Sequence, residues 1–254
     1  MTLSPKQRIA KVLANRGICS RREAERLILA GRVCVNGHTL DTPAFLVTDE
    51  DTIKVDGETV SSSAPLKIWK FHKPKGLITT HKDPQNRTTV FAYLKDHFPQ
   101  LPRVISVGRL DINSEGLLLL TTQGSLARYM ESPQPGWIRR YRIRAFGNYT
   151  LALLAQLQKP LKIEKETYKL DTIALDTQNG MHLWFTVTLK QGKNREIRRI
   201  FEAAGLQVSR LIRLSYGPFS LDSLKQGDIQ AVPSKFLKDI FPASLLKDLK
   251  CSAS

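Results

Sequence analysis

The chain has 254 residues, enough for one large domain or for a small domain followed by a medium one. Its hydrophobic fraction of 41% supports a packed core and argues against wholesale disorder. Lysine and arginine outnumber aspartate and glutamate 39 to 23, a formal +16 whose field attracts polyanions, so nucleic acid is the expected partner.

Membrane insertion is not expected, because no apolar run approaches the ~20 residues that span a bilayer. The N-terminal stretch MTLSPKQRIAKVLANRG lacks the apolar core of a secretory signal. Cys19, Cys34 and Cys251 are odd in number and widely spaced, which fits neither a disulfide framework nor a zinc site. A cytoplasmic protein without a structural metal, and without need of more than a monomer, is the economical expectation.

From the N-terminus, Ile9, Val12 and Leu13 recur at helical spacing, and Gly17 ends that segment. Ser20 followed by Glu23 is a capping box, so a second helix should start at Arg21. Ala24, Leu27 and Ile28 supply its apolar face, and Gly31 stands at its C-cap. Val33 and Val35 alternate with Cys34 as a short strand, and Asn36-Gly37 is a strong hairpin signal. A further strand is expected from Ile53 to Val55, with a turn at Asp56-Gly57.

Ser61-Ser62-Ser63-Ala64-Pro65 can pack little core and marks a domain boundary. The expected division is a small module over 1–60, a linker over 61–66, a larger domain over 67–245 and a flexible tail over 246–254. In the larger domain, strands are expected at Lys67 to Phe71, Arg140 to Arg144 and Leu183 to Leu189. Helices are expected at Leu151 to Gln158 and Asn194 to Ala204. Strands and helices do not alternate strictly, so the class is α+β rather than a doubly wound parallel sheet.

Residues 8–37, RIAKVLANRGICSRREAERLILAGRVCVNG, resemble the alpha-L RNA-binding domain of a small-subunit ribosomal protein, tyrosyl-tRNA synthetases and several rRNA-modifying enzymes. Arg8, Lys11, Arg21, Arg22, Arg26 and Arg32 cluster around its two helices and hairpin entrance. The helix start beyond Ser20 also presents backbone N–H groups suited to a phosphate. Such contacts position RNA by its backbone rather than reading its bases. The blander reading is that Arg21 and Arg22 merely solvate a helix start.

The functional reading centres on the segment VGRLDINSEGLLLLTTQG, residues 107–124. Leu117 to Leu120 read as a buried strand, but that leaves Gly108-Arg109-Leu110-Asp111 and Gly116 unaccounted for. Glycines on both sides point to a constrained loop at a strand edge, and in extended backbone Arg109 and Asp111 would face the same side. The segment is similar to the signature loop of pseudouridine synthases of the small-subunit rRNA type, the RsuA and RluB-like branch. Ser114 stands where that family usually has Thr, and Thr122-Gln123 where it has Asn-Asp. Lys70-Phe71-His72-Lys73-Pro74-Lys75-Gly76 resembles the family's NKP-x-G strand and turn, with His72 for Asn. Arg140-Tyr141 resembles its K-Y segment, and Gly192-Lys193-Asn194-Arg195-Glu196-Ile197-Arg198-Arg199 its GKNRQIRR segment, with Glu196 for Gln.

The resemblance implies a catalytic domain on a mixed, mainly antiparallel sheet with flanking helices, acting on ribosomal RNA. It implies Asp111 as nucleophile, Tyr141 stacked on the target uracil, and Arg109 holding the extruded nucleotide. It also implies a basic residue beside the aspartate, with Arg198 the first choice and Arg195 the second. Ile197 would form an apolar floor, and Lys193 and Arg195 would touch RNA. Turning uridine into pseudouridine is an isomerisation, so no cofactor is called for. The RluB-like look favours large-subunit rRNA over small-subunit rRNA. The alternative of another class is a non-catalytic ribosome-assembly factor that uses the same basic surface.

Overall fold

The structure, a computed structural model, describes residues 6–61, 66–243, 245 and 246. Apart from Ser61 and Leu66, the expected linker lies outside the described residues, as does the expected tail beyond Leu246.

The N-terminal module contains β1 (Gln7–Arg8), α1 (Ile9–Asn15), α2 (Arg21–Leu29), β2 (Val33–Val35), β3 (His38–Thr39), β4 (Leu46–Val47), β5 (Ile53–Val55) and β6 (Glu58–Thr59). The Ser20 hydroxyl accepts the Glu23 backbone N–H at 3.1 Å, closing the start of α2 as the capping box requires. Asn36 and Gly37 both adopt positive φ, 51° and 88°, the signature of a type I′ hairpin between β2 and β3. Ile9, Leu13, Ala24, Ile28, Val33 and Ile53 form a core of their own, distinct from the cores of the larger region.

The larger region runs β7 (Ile68–Lys73), α3 (Val90–His97), β8 (Ile105–Val107), β9 (Glu115–Thr121), α4 (Gly124–Glu131), β10 (Arg139–Phe146), α5 (Leu151–Leu157), β11 (Leu161–Ile163), β12 (Glu166–Tyr168), β13 (Thr172–Asn179), β14 (His182–Leu189), α6 (Glu196–Ala203), β15 (Gln207–Tyr216), β16 (Phe219–Ser220), β17 (Ile229–Ala231) and α7 (Ser234–Ile240). Its main sheet has the order β13-β14-β10-β15-β9-β7-β17, with β8 beside β9 and β16 beside β15. All of these pairs are antiparallel except β15 with β9, so the sheet is mixed and the class is α+β. Leu245 and Leu246 still pack against the core, so the packed region reaches at least one residue into the expected tail.

The four consecutive leucines of β9 follow from its place in the sheet. Leu118 and Leu120 enter one core with α3, α5 and α6, while Leu117 and Leu119 enter a second core with α4 and α7. A strand covered on both faces needs a continuous apolar run rather than an alternating one.

Gly116 lies where β9 crosses β15. Its φ is +102°, and an added Cβ would run into the Arg213 backbone carbonyl and amide. The parallel pairing places Arg213 directly opposite Gly116, which explains why no side chain is tolerated. We predict that Gly116→Ala destabilises the protein by roughly 2–5 kcal/mol, the sum of a positive-φ and an overpacking penalty. Urea unfolding measures this, and a loss below ~1 kcal/mol would contradict the tight crossing.

Candidate active site

Residues 108–114 form the loop between β8 and β9, and Asp111 sits at its centre. The loop is tied down along its length. Gly108 donates its backbone N–H to Glu131 Oε1 at 2.7 Å. The Thr79 hydroxyl donates to the Leu110 carbonyl at 2.8 Å, and Gly76 N–H reaches the Ile112 carbonyl at 2.8 Å. Ser114 N–H closes a turn onto the Asp111 carbonyl at 3.0 Å.

Beneath the loop lies Lys73, with 0% of its surface exposed. Its ammonium donates to the carbonyls of Pro74 at 3.0 Å, Asp111 at 3.2 Å and Ser114 at 2.9 Å. Burial pushes this group down to about 8, opposed by the nearby charges of Asp111 and Glu115. At neutral pH it therefore remains mainly charged, and its three donors match the three carbonyls that converge on it.

Among the described residues, the cation nearest the Asp111 carboxylate is Arg195, with Nη1 at 3.8 Å from Oδ2. Arg195 is also the N-cap of α6 and adopts φ 49°, ψ 28°, a left-handed conformation rare for a long side chain. The helix consequently starts at Glu196, two residues later than its sequence suggests, and the preceding turn brings Arg195 to the loop. Arg198, the first choice from sequence, does not make this pair. Its guanidinium donates to the Asn113 carbonyl at 2.9 Å and the Val208 carbonyl at 3.0 Å. In the first turn of α6, it ties the loop to β15 through backbone carbonyls.

Asp111, Arg109, Tyr141, Lys193, Arg195 and Ile197 line a single cleft of about 1170 Å³. Tyr141 comes from β10 and is 8% exposed, so it is both a core residue and a wall of the cleft. Ile197, 4% exposed, lies in the first turn of α6, and Arg109 is exposed. The start of α2 faces the same cleft through Ser20, Arg21, Arg22 and Arg26, so the N-terminal module contributes to one continuous basic surface.

Other residues expected at RNA are placed differently. Arg8 and Lys11 are not among the residues lining the cleft. The Arg32 fork is engaged by Asp56 in a bidentate pair at 2.7 and 2.6 Å, which binds β2 to the β5–β6 turn. Lys193 lines the cleft, but its ammonium donates to the Thr167 carbonyl at 2.9 Å and approaches Glu166 at 3.4 Å. Its head thus serves the β11–β12 hairpin.

Three groups escaped the sequence reading as site residues: Lys73 beneath the loop, and Arg213 and Glu196 in the cleft lining. Arg213 is 3% exposed and donates Nε to the Leu117 carbonyl at 2.7 Å, while its Nη2 has no hydrogen-bond partner among the described residues. Glu196 is 4% exposed; its Oε2 accepts the Lys193 N–H at 3.0 Å and its Oε1 has no such partner. Burial pushes the Glu196 carboxyl up, against the Lys193 N–H that favours its charged form. Among the described residues no three His, Cys, Asp or Glu side chains gather as a metal site requires, and no helix is long and apolar enough to cross a membrane.

The two arginines should separate experimentally. Arg195→Gly removes an exposed ion pair worth under ~1 kcal/mol and relieves a left-handed residue, so stability should hold or rise slightly while activity falls. Arg198→Ala removes charge-assisted bonds to two carbonyls and should cost about 2 kcal/mol of stability along with activity. Thermal melts beside activity assays read the difference, and an equal stability loss in both variants would refute the assignment.

Comparison with known proteins fits this geometry. The model of the RNA pseudouridylate synthase family matches residues 67–203, and that of the S4 domain matches residues 7–53. An uncharacterized RNA pseudouridine synthase of Rickettsia conorii is 48% identical over 232 residues, which cover 91% of this chain and 99% of the relative. Ribosomal large subunit pseudouridine synthase B of Shigella flexneri is 40% identical over 222 residues, 85% of this chain and 75% of that protein. A crystal structure of a pseudouridylate synthase shares the fold at a TM-score of 0.62 and 22% identity, covering 94% of this chain and 100% of that one. A family model that matches more than half of the chain, and 48% identity along nearly the whole Rickettsia conorii protein, establish that the chain belongs to the RNA pseudouridine synthases.

Proposed function

We propose that the protein isomerises one specific uridine to pseudouridine in ribosomal RNA, with large-subunit rRNA the target and Asp111 the nucleophile. The observation that carries this reading is the Asp111 loop itself. A carboxylate is held by its backbone from below and the sides, faces a cleft of about 1170 Å³, and has one arginine 3.8 Å away. The large-subunit target is supported by the 40% identity to the Shigella flexneri enzyme of that name.

The reaction breaks the N-glycosidic bond, turns the uracil within the site and rejoins it to the ribose through carbon. No atom is gained or lost, so the protein must supply a nucleophile, a surface for the loose base and shelter from water. Tyr141 provides a ring face on which the uracil stacks, and Ile197 an apolar floor.

Asp111 retains 36% of its side-chain surface in the free protein and Arg195 48%, so the site is not dry until RNA covers it. Extruding the uridine costs a few kcal/mol. Arg109, exposed two residues from Asp111, is suited to holding the vacated position, and Arg21 and Arg22 to gripping phosphates along the same cleft.

Asp111→Asn should abolish pseudouridine formation, by roughly 10³-fold or more as for loss of a nucleophile. RNA affinity should hold or increase, since a negative charge leaves a positive cleft. Carbodiimide-blocked reverse transcription on rRNA treated with each protein measures the product. Activity retained by Asp111→Asn, or RNA binding without any product from the unaltered protein, would overturn the reading, the second outcome in favour of an assembly factor.

A further inference from the structure

Outside the Asp111 cleft lies a second recess of about 280 Å³, lined by Phe91 and Leu94 of α3 and by Phe98, Pro102 and other residues of the segment after it. Two of its residues, His81 and Phe91, also line the main cleft, so this pair forms a wall common to both spaces. Their rings stack with centroids 3.5 Å apart and planes 10° from parallel. Phe91 covers one face of the imidazole, while His81 as a whole remains exposed. Desolvation of the ring where Phe91 covers it, together with the charge of Arg103, pushes His81 down to about 4, so its ring is neutral under physiological conditions. Arg103 and the exposed Lys95 bring two cations to the same recess.

This combination is specific in what it suits. The volume falls just short of the ~300–1,000 Å³ of pockets for drug-sized ligands. A neutral aromatic stack beside cations matches a planar base joined to a phosphate, and unpaired RNA bases are held by such stacking. A peptide or lipid occupant would leave both the wall shared with the cleft and the cations without a purpose.

We propose that the recess is a second base subsite, in which one unpaired base flanking the target uridine stacks on the His81–Phe91 pair. Arg103 and Lys95 meet the phosphate of that nucleotide. The proposal rests on the reading of the protein as an rRNA pseudouridine synthase and adds to it a determinant of site choice. The enzyme selects uridines whose neighbour is free to leave the helical stack, as in a loop or bulge.

The test uses the full chain and an rRNA fragment carrying the mapped target uridine, with flanking nucleotides replaced singly by abasic residues. The unaltered protein should lose about 10-fold in kcat/KM at one flanking position, the worth of one stacked base. His81→Ala should lose a similar factor on intact RNA, and His81→Phe, which keeps a stacking face, should recover it. On the sensitive abasic RNA, His81→Ala should lose nothing further, because the same contact is already gone. Losses that multiply, a silent His81→Ala, or no sensitive flanking position would each remove the subsite. If the unaltered protein modifies no uridine at all, the functional reading fails and the subsite with it; an active protein with multiplying losses removes the subsite alone.

Discussion

The Lys73 ammonium, without any exposed surface, directs its protons at the carbonyls of Pro74, Asp111 and Ser114. Burying a charge costs several kcal/mol unless polar partners replace water. Here the partners are backbone carbonyls that converge because the chain doubles back between Asp111 and Ser114, and the tight loop and the buried cation stabilise each other. The charged form persists because Asp111 and Glu115 lie close by, even though burial and Arg213 pull the group down to about 8. The position of the Asp111 carboxylate therefore depends on a residue that never reaches the surface of the cleft.

The rest of the site is arranged around that fixed point. β9 leaves the loop and meets β15 in the sheet's parallel pairing, with Gly116 against Arg213. This close crossing presents the Arg213 guanidinium to the cleft beside Tyr141 from β10. α6 closes the other side, with Arg195 turned towards Asp111 by a left-handed backbone and Arg198 tying the Asn113 carbonyl to β15. The contrast between the two arginines is physical: one acts on a half-exposed carboxylate through space, the other on the loop through backbone. With both members of the Arg195–Asp111 pair open to solvent, the pair adds little to stability and stays free to adjust as RNA enters.

Much of the fold was legible in the sequence because local chemistry governs it. The Ser20 cap, the Asn36-Gly37 hairpin and the strand at Ile53 to Val55 each depend on residues within a few positions, and each forms where the sequence places it. The GRLD loop and the leucine run could also be read in outline. What escaped depends on contacts between distant segments. Lysine is almost never fully buried, so nothing in its type marks Lys73 as the support of a loop 38 residues away. Arginine seldom adopts positive φ, so nothing in the sequence put Arg195 ahead of Arg198, and it is a left-handed turn that brings Arg195 to Asp111. Arg32 and Lys193 look like RNA ligands from charge alone, and only the fold reveals Asp56 and the Thr167 carbonyl as their partners.

The dependence of the site on Lys73 is most directly tested by single-turnover pseudouridine formation at saturating RNA with Lys73→Met, which keeps the aliphatic stem and removes the charge. Loss of the shared anchor should cost about 1.5–3 kcal/mol, or roughly 10–100-fold in the rate constant, because the Asp111 and Ser114 carbonyls lose a charged donor. RNA affinity should be unchanged, since Lys73 lies out of reach of the RNA beneath the loop. A folded Lys73→Met protein with an undiminished rate would contradict the claim that this buried ammonium sets the position of Asp111.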